Sequence, residues 1–196
     1  MNKLRVCGFK DKLPDGAVVI NTTSRSTDFG KAFSPFMNQG PIELYGLAAH
    51  NVENFFQFSK TYQEHLENPQ AWLRWRAAGF ANRTPHRYPM GKGVRPLFGY
   101  VNKELGRLDY IAGRKLVYIP AYLQKLQRYC ETAVARLLKM LEDTDVWLWD
   151  FDGYDNDDSF DTILHNEKRN MGHAFIVRQY CLDRLNDTNE VMRYAK

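Results

Sequence analysis

Several features that mark large protein classes are scarce or missing in this sequence. It holds three cysteines, Cys7, Cys130 and Cys181, and none of them shows the CxxC or CxxH spacing of a zinc site. Their odd number argues against a disulfide framework, so we expect three small buried thiols in a reducing cytoplasm. No stretch resembles a signal peptide, and no apolar run is long enough to cross a bilayer, which predicts a cytoplasmic protein without a membrane partner.

Signatures of bound cofactors are also missing. The chain has neither the GxxxxGK[ST] loop that cradles phosphates nor the glycine fingerprint of dinucleotide-binding folds. The acidic run over residues 150–161 lacks the ligand spacing of an EF-hand calcium loop, so we interpret it as a solvated turn. The sequence therefore predicts no metal and no cofactor.

Charge is distributed unevenly along the chain, although the formal net charge is only +4. Residues 72–136 contain 13 lysines and arginines against three acidic residues, whereas residues 141–165 contain nine acidic residues and neither lysine nor arginine. A chain polarised in this way favours a polyanionic partner on its basic side. Pairing of the two segments with each other would explain the pattern equally well.

Apolar residues make up 44% of the 196 residues, enough for one core, so we expect a single domain over 1–196 with a basic helical and loop region at about 70–140.

Alternation and turn residues predict strands within 16–24, 41–46 and 146–151. Spacing and capping residues predict helices from Val52 to about Leu66, over 69–81, and from about Asn170 to Leu185. Residues 82–107 have the composition of a long loop, and Pro120 suits the first turn of another helix. Apolar residues then recur at helical spacing, namely Leu123, Leu126, Cys130, Ala133, Val134, Leu137 and Leu141. The expected class is α+β, with a small mixed sheet covered by several helices.

One short segment, AHNVENFFQFSK at residues 49–60, sets polar side chains among aromatic ones. On a helix, Glu53, Gln57 and Lys60 fall on one stripe within roughly 60° of one another. Stripes of this kind are usually solvated. This one borders Phe56, and Glu53 lies in the first turn, where the helix dipole favours a negative charge. A carboxylate at the rim of an aromatic pocket suits a reaction that develops positive charge.

The same segment resembles a motif of the NADAR/YbiA-like family of N-glycosidases, E-x-[YF]-F-Q-x-x-K. The motif residues fall on Glu53, Phe56, Gln57 and Lys60 without a gap. The resemblance implies a YbiA-like single domain and an N-glycosidase activity.

Two further segments agree with that family in the same order. AFSPFMNQGPIEL at residues 32–44 is similar to an early segment of the family. NMGHAFIVRQYCL at residues 170–182 is similar to its late helix, with His173 in place of a lysine. The likeness covers the two ends of the chain, and the middle over residues 70–140 matches only in helical character.

The resemblance implies a chemistry for the matched residues. Cleavage of an N-glycosidic bond passes through a sugar cation resembling an oxocarbenium ion, and a carboxylate beneath C1′ stabilises it or activates water. We assign this role to Glu53, with Lys60 holding a phosphate or sugar oxygen or setting the ionisation of Glu53. Asp152 is a candidate second acid. Further candidates for substrate binding are Gln57, Phe56, Asp150, Asn170, Arg25, Ser24 and His173, although the turn at 24–25 is equally explained as plain surface.

The basic middle of the chain indicates the substrate class. Residues 74–96 alternate arginines and a lysine with aromatics and glycines, which suits phosphate contacts and stacking on unpaired bases. The expected phosphate contacts are Arg83, Arg87, Lys92 and Arg95. We therefore favour a DNA glycosylase that removes a modified base and leaves an abasic site, with a role in phage defence or phage–host conflict. Two alternatives stay open: a hydrolase of a small nucleotide or ADP-ribosyl glycoside, and a non-catalytic nucleic-acid-binding module.

Overall fold

The computed structural model describes residues 2–195, and the chain forms two compact units. The first unit comprises Met1–Pro35 and Tyr122–Lys196, and the second comprises Phe36–Ala121. Small sheets are flanked by several helices, which confirms the expected α+β class. That the two units act as one domain stays a prediction.

The first unit is built on a three-stranded parallel sheet of β1 (Leu4–Cys7), β2 (Val18–Asn21) and β8 (Val146–Trp149). β8 lies between β1 and β2. Leu4 and Val18 both align with Val146, so the three strands end at the same edge. β8 begins with three buried residues in succession, as expected for an interior strand. The strands expected within 16–24 and 146–151 are confirmed, and β1 is an addition to them.

The sheet of the first unit is accompanied by helices and two short 3₁₀ turns. These are α5 (Ile119–Tyr129), which starts at the end of the second unit, α6 (Glu131–Asp143), α7 (Phe160–His165), α8 (His173–Asn186) and the turns Phe29–Phe33 and Met192–Tyr194. The apolar residues predicted at helical spacing between 123 and 141 are all buried. α8 packs on β1 and β8, and it is buried throughout its first nine residues. It begins at His173 rather than at about Asn170, because the carboxylate of Asp150 accepts a hydrogen bond from Ala174 N in its first turn.

A hairpin and a small antiparallel sheet belong to the second unit. β3 (Ile42–Leu44) pairs with β4 (Leu47–Ala49) across a two-residue turn, which confirms the strand expected within 41–46. Tyr45 and Gly46 have φ angles of 55° and 72°, the pattern of a type I′ turn, whose twist matches that of hairpin strands. The antiparallel sheet contains β5 (Lys60–Thr61), β6 (Phe98–Tyr100) and β7 (Arg107–Leu108), in that order.

Three helices carry most of the remaining chain of the second unit up to residue 81. They are α1 (Val52–Gln57), α2 (Gln63–Glu67) and α3 (Pro69–Ala81), and α3 matches its prediction. The single helix predicted from Val52 to about Leu66 is wrong over residues 58–62, which separate α1 from α2. The Ser59 hydroxyl donates to Phe55 O at 2.7 Å near the end of α1, and Lys60 then pairs with β6. Pairing with a distant strand, which a local pattern does not encode, replaces the helical hydrogen bonds here.

The loop predicted over residues 82–107 is irregular over 82–97 and again over 101–106, but Phe98–Tyr100 form β6 and Arg107 begins β7. At β6 the prediction is wrong, because Leu97 N donates to Thr61 O at 2.8 Å and Tyr100 N donates to Ser59 O at 2.7 Å. These hydrogen bonds place β6 beside β5.

A continuous helical segment passes through Pro120. It begins with α4 (Tyr110–Gly113), continues as a π-helical turn (Arg114–Tyr118) and leads into α5. Pro120 lies in the first turn of α5 as predicted, but the helical backbone already begins at Tyr110. Proline has no N–H to offer the carbonyl four residues earlier, and the Tyr45 hydroxyl donates to that carbonyl, Leu116 O, at 2.7 Å.

Candidate functional site

Glu53, Gln57 and Lys60 form a hydrogen-bonded chain in the second unit. Gln57 Nε2 donates to Glu53 Oε1 at 2.9 Å, and Lys60 Nζ donates to Gln57 Oε1 at 2.7 Å. Glu53 is only 6% exposed, so the interpretation of the stripe as solvated surface does not hold for its carboxylate. Lys60 reaches Gln57 from β5 rather than from a helix, and the three side chains still meet as the sequence predicted.

The ammonium of Lys60 is also held against an aromatic ring. Its Nζ lies 4.2 Å from the centroid of Phe56, whose ring lies 4.8 Å from that of Tyr118. Burial lowers the pKa of Lys60 to about 8, the charge of Glu53 opposes this shift, and the charge of Arg87 adds to it. This amine therefore exchanges its proton in weakly alkaline solution, where it can act as donor or acceptor.

Asn54 ties α1 to the loop over residues 82–86, which carries Arg83. Its Nδ2 donates to Asn82 O at 2.8 Å and to Thr84 O at 2.9 Å, and its Oδ1 accepts from His86 N at 2.8 Å. The side chain is fully buried. Sequence reasoning missed this residue, and the available signal was an asparagine adjacent to the acidic residue of the motif.

The residues predicted to contact phosphates lie in this loop and just beyond it. Three of them are exposed, namely Arg83, Lys92 and Arg95. Arg87 is half-buried and lies close enough to Lys60 to lower its pKa. Arg87 therefore acts electrostatically on Lys60, while the other three cations face solvent.

Asp150 and His173 form a buried ion pair at the carboxyl end of β8, in the first unit. His173 Nδ1 lies 3.0 Å from Asp150 Oδ2, and its Nε2 donates to Thr22 O at 2.9 Å. Burial alone would raise the pKa of Asp150 and lower that of His173, but the charge and hydrogen bond that they share reverse both shifts. The pair holds the start of α8 against the sheet, and its predicted part in substrate binding stays a prediction.

Asp152 and Asn170 are neighbours in the same unit. Asn170 Nδ2 donates to Asp152 Oδ1 at 3.1 Å, with Asp152 half-buried and Asn170 exposed. Both Asp150 and Asp152 follow β8, which ends at Trp149, one residue short of Asp150. Gly172 allows the backbone to approach Asp150 closely, since a Cβ at this position would collide with the carboxylate.

Ser24 and Arg25 lie in the turn after β2, with Ser24 half-buried and Arg25 exposed. The backbone N–H of Arg25 donates to Thr23 Oγ1 at 3.3 Å, which leaves the guanidinium as the group that this residue can offer to a phosphate. That guanidinium lies 5.8 Å from the ring centroid of Phe151. The two units thus hold two separate sets of predicted site residues, one around Glu53 and one around Asp152.

The cysteines are buried, as the sequence predicted. Burial raises the pKa of Cys7 and of Cys181 to about 12, so neither thiol is a ready nucleophile near neutral pH. Between residues 2 and 195, no group of three or more His, Cys, Asp or Glu side chains is arranged to hold a metal ion. No helix in that part of the chain has the length and apolar character needed to cross a membrane.

Comparison with known proteins places the chain in a family. The sequence profile of a family of unknown function, DUF6939, matches residues 2–177 and so extends over both units. No curated protein and no solved structure matches the chain. The chain therefore belongs to DUF6939, a family of unknown function.

Proposed function

We propose that the protein is an N-glycosidase that hydrolyses the N-glycosidic bond of a nucleotide, and that its substrate is DNA carrying a modified base. The observation that carries the proposal is the chain of Glu53, Gln57 and Lys60, in which a little-exposed carboxylate is joined through an amide to an ammonium group. The likeness of this segment to the NADAR/YbiA motif supports the same reaction class.

The reaction needs a carboxylate that faces the sugar while C1′ acquires positive charge. Glu53 supplies this group, and its burial strengthens the attraction to a cation beyond its value in water. Gln57 orients the carboxylate by donating to Oε1, and Lys60 fixes Gln57 in turn. The carboxylate is therefore oriented before the substrate arrives, which removes part of the entropic barrier.

The basic segment, residues 74–96, supplies the contacts to nucleic acid in this proposal. Arg83, Lys92 and Arg95 are exposed on a stretch whose start Asn54 ties to α1, the helix that carries Glu53. A glycosylase acting within a duplex must extrude its target nucleotide, so it needs backbone contacts as well as a pocket. Exposed cations provide such contacts independently of sequence.

One observation favours a second candidate function, the hydrolysis of a small nucleotide or ADP-ribosyl glycoside. The charge of Arg87 acts on Lys60, so these two cations together suit a single phosphate close to Glu53 without a longer nucleic acid. The predicted phage-related role and the non-catalytic alternative have no such observation in their favour.

The test uses oligonucleotides with modified, ADP-ribosylated or ordinary bases, and the matching free nucleotides. Each substrate is incubated with wild-type protein and with the variants Glu53→Gln and Glu64→Gln. Glu64 is an exposed acidic residue of α2, so its substitution is the charge-matched control. Alkaline strand cleavage reports abasic sites, and mass spectrometry reports released base. We expect release by wild type and Glu64→Gln but not by Glu53→Gln. Release from free nucleotides alone favours the second candidate, and DNA binding without release from any substrate refutes the enzyme proposal.

A further inference from the structure

An apolar cleft lies between the β3–β4 hairpin and α3, within the second unit. Its volume is about 480 Å³, which is within the usual range of small-molecule sites. Small side chains form much of its wall: Ala48 and Ala49 from β4, and Ala77 and Ala81 from α3. The residues of the Glu53 chain are not among its lining residues, so the cleft is distinct from the proposed glycosidase site.

The lining includes two nitrogen-bearing side chains, His50 and Arg76, and no acidic residue. Arg76 is 6% exposed. Its Nη2 donates to Val101 O at 2.9 Å, whereas its Nε has no hydrogen-bond partner within residues 2–195. Arg76 thus lines an apolar cleft while part of the donor capacity of its guanidinium is unused.

The positive charge of Arg76 is balanced by aromatic rings rather than by an anion. Its Cζ lies 5.1 Å from the ring centroid of Trp72 and 5.2 Å from that of Phe80, one turn before and one turn after it on α3. No carboxylate in the described part of the chain forms an ion pair with it, and burial lowers its pKa. Buried arginines normally have a carboxylate or phosphate partner, because an unpaired buried charge is costly.

We propose that this cleft binds a small organic carboxylate with an apolar body. The carboxylate pairs with the guanidinium of Arg76, and the apolar body lies against the alanine-lined walls. A carboxylate suits this site better than a phosphate for two reasons. The planar guanidinium matches two carboxylate oxygens. Arg76 is also the one lysine or arginine among the described residues of the lining, so its single positive charge matches a carboxylate but not a phosphate that carries nearly two negative charges.

Isothermal titration calorimetry with decanoate tests the charge and the apolar body together, with 1-decanol as the neutral probe of equal length. Both are used below the concentration at which they aggregate. We expect saturable decanoate binding to the wild-type protein, and binding of decanol at least about tenfold weaker, since the ion pair supplies that difference. Equal affinity for the two probes, or no decanoate binding at millimolar concentration, would overturn the proposal.

Three variants locate the binding. Arg76→Gln removes the charge, and Ala77→Trp fills the cleft from an exposed position of α3. Ala78→Trp adds the same bulk at the next exposed position, which does not line the cleft. We expect decanoate affinity to fall at least about tenfold in the first two and to stay unchanged in Ala78→Trp. Should Arg76→Gln fail to fold, the two tryptophan variants decide alone: unchanged affinity in Ala77→Trp refutes the site.

Discussion

Lys60 Nζ lies 4.2 Å from the centroid of the Phe56 ring, three residues after the helix that carries both Phe56 and Glu53 has ended. The face of the ring attracts the cation, but the same packing removes the ammonium from water. The loss of hydration dominates, because the pKa of Lys60 falls to about 8 despite the opposite charge of Glu53. The protonation state of this amine therefore changes within the pH range in which nucleic-acid enzymes are assayed.

We expect the proposed glycosidase activity to show an ionisation near pH 8 that belongs to Lys60. Lys60→Met should remove it from the pH profile of kcat/KM, since methionine keeps an apolar stem without a titrating group. Lys60→Arg should move it above the measured range, because a guanidinium stays protonated. Profiles from about pH 6 to about pH 9.5 report the ionisations of the free enzyme. If Lys60→Met keeps the ionisation, another group is responsible.

Asn54→Ala should loosen the loop over residues 82–86. The substitution removes both side-chain donors and the acceptor that hold this loop, and it leaves backbone groups without partners. We expect the free energy of unfolding to fall by about 1–3 kcal/mol, the usual cost of an unsatisfied buried polar group. Urea denaturation measures that change, and hydrogen exchange should accelerate at residues 82–86. Gln70→Ala, an exposed change on α3, is the control and should alter neither quantity.

Gly79→Ala should destabilise the second unit although alanine favours helices. A Cβ at Gly79 would overlap the ring of Phe58, which packs on Trp75. Overpacking of this kind costs about 1–3 kcal/mol, more than the gain in helix propensity. Gly113→Ala is the matched control, because a Cβ there meets no atom within 4 Å and the backbone is already helical. Thermal unfolding should show a lower Tm for the first variant only; equal Tm values would mean that Phe58 can move aside.

The parts of this fold that the sequence predicts well are those that depend on neighbours along the chain. Asn51 caps α1 by accepting from Asn54 N, and the spacing of apolar residues in α6 agrees with its buried face. α3 begins at Pro69, where the missing N–H of proline is tolerated. Such signals are read from residues that are at most four positions apart.

The parts that the sequence predicts poorly depend on distant partners. Lys60 leaves the helical register because it pairs with Gly99, 39 positions away, and no local pattern records that contact. From the local sequence alone, Asn54 does not differ from other polar residues of helices. Its partners in the loop at 82–86 are what distinguish it. The stripe of the motif still came together in space, since Lys60 is only three residues from Gln57 and its long side chain spans the gap.

The basic segment should make DNA binding depend steeply on salt if it contacts phosphates. Arg83→Ala and Arg95→Ala should each weaken binding for all sequences alike and reduce the slope of log K against log salt by about one. Lys168→Ala removes an exposed lysine outside the segment and should leave the slope unchanged. Fluorescence anisotropy with Glu53→Gln protein separates binding from cleavage. If neither arginine substitution changes the slope, the segment does not contact DNA, and a small nucleotide substrate is favoured.

The buried pair of Asp150 and His173 should give the first unit a stability maximum in mildly acidic solution. The lowered pKa of Asp150 adds stability above its unfolded value of about 4, and this contribution is lost as the pH falls through the folded value. The raised pKa of His173 adds stability that is complete below its unfolded value of about 6.5 and is lost as the pH rises through the folded value.

Asp150→Asn should therefore lower the free energy of unfolding by about 3–5 kcal/mol near pH 5.5, because it leaves the other charge of the buried pair without a partner. The loss should be smaller in alkaline solution. His165→Gln, which removes an exposed contact with Asp161, should cost at most about 1 kcal/mol at any pH. Urea denaturation of both variants across this range decides the matter, because a pH-independent cost for Asp150→Asn would mean that the aspartate acts through hydrogen bonds to the start of α8 and not through its charge.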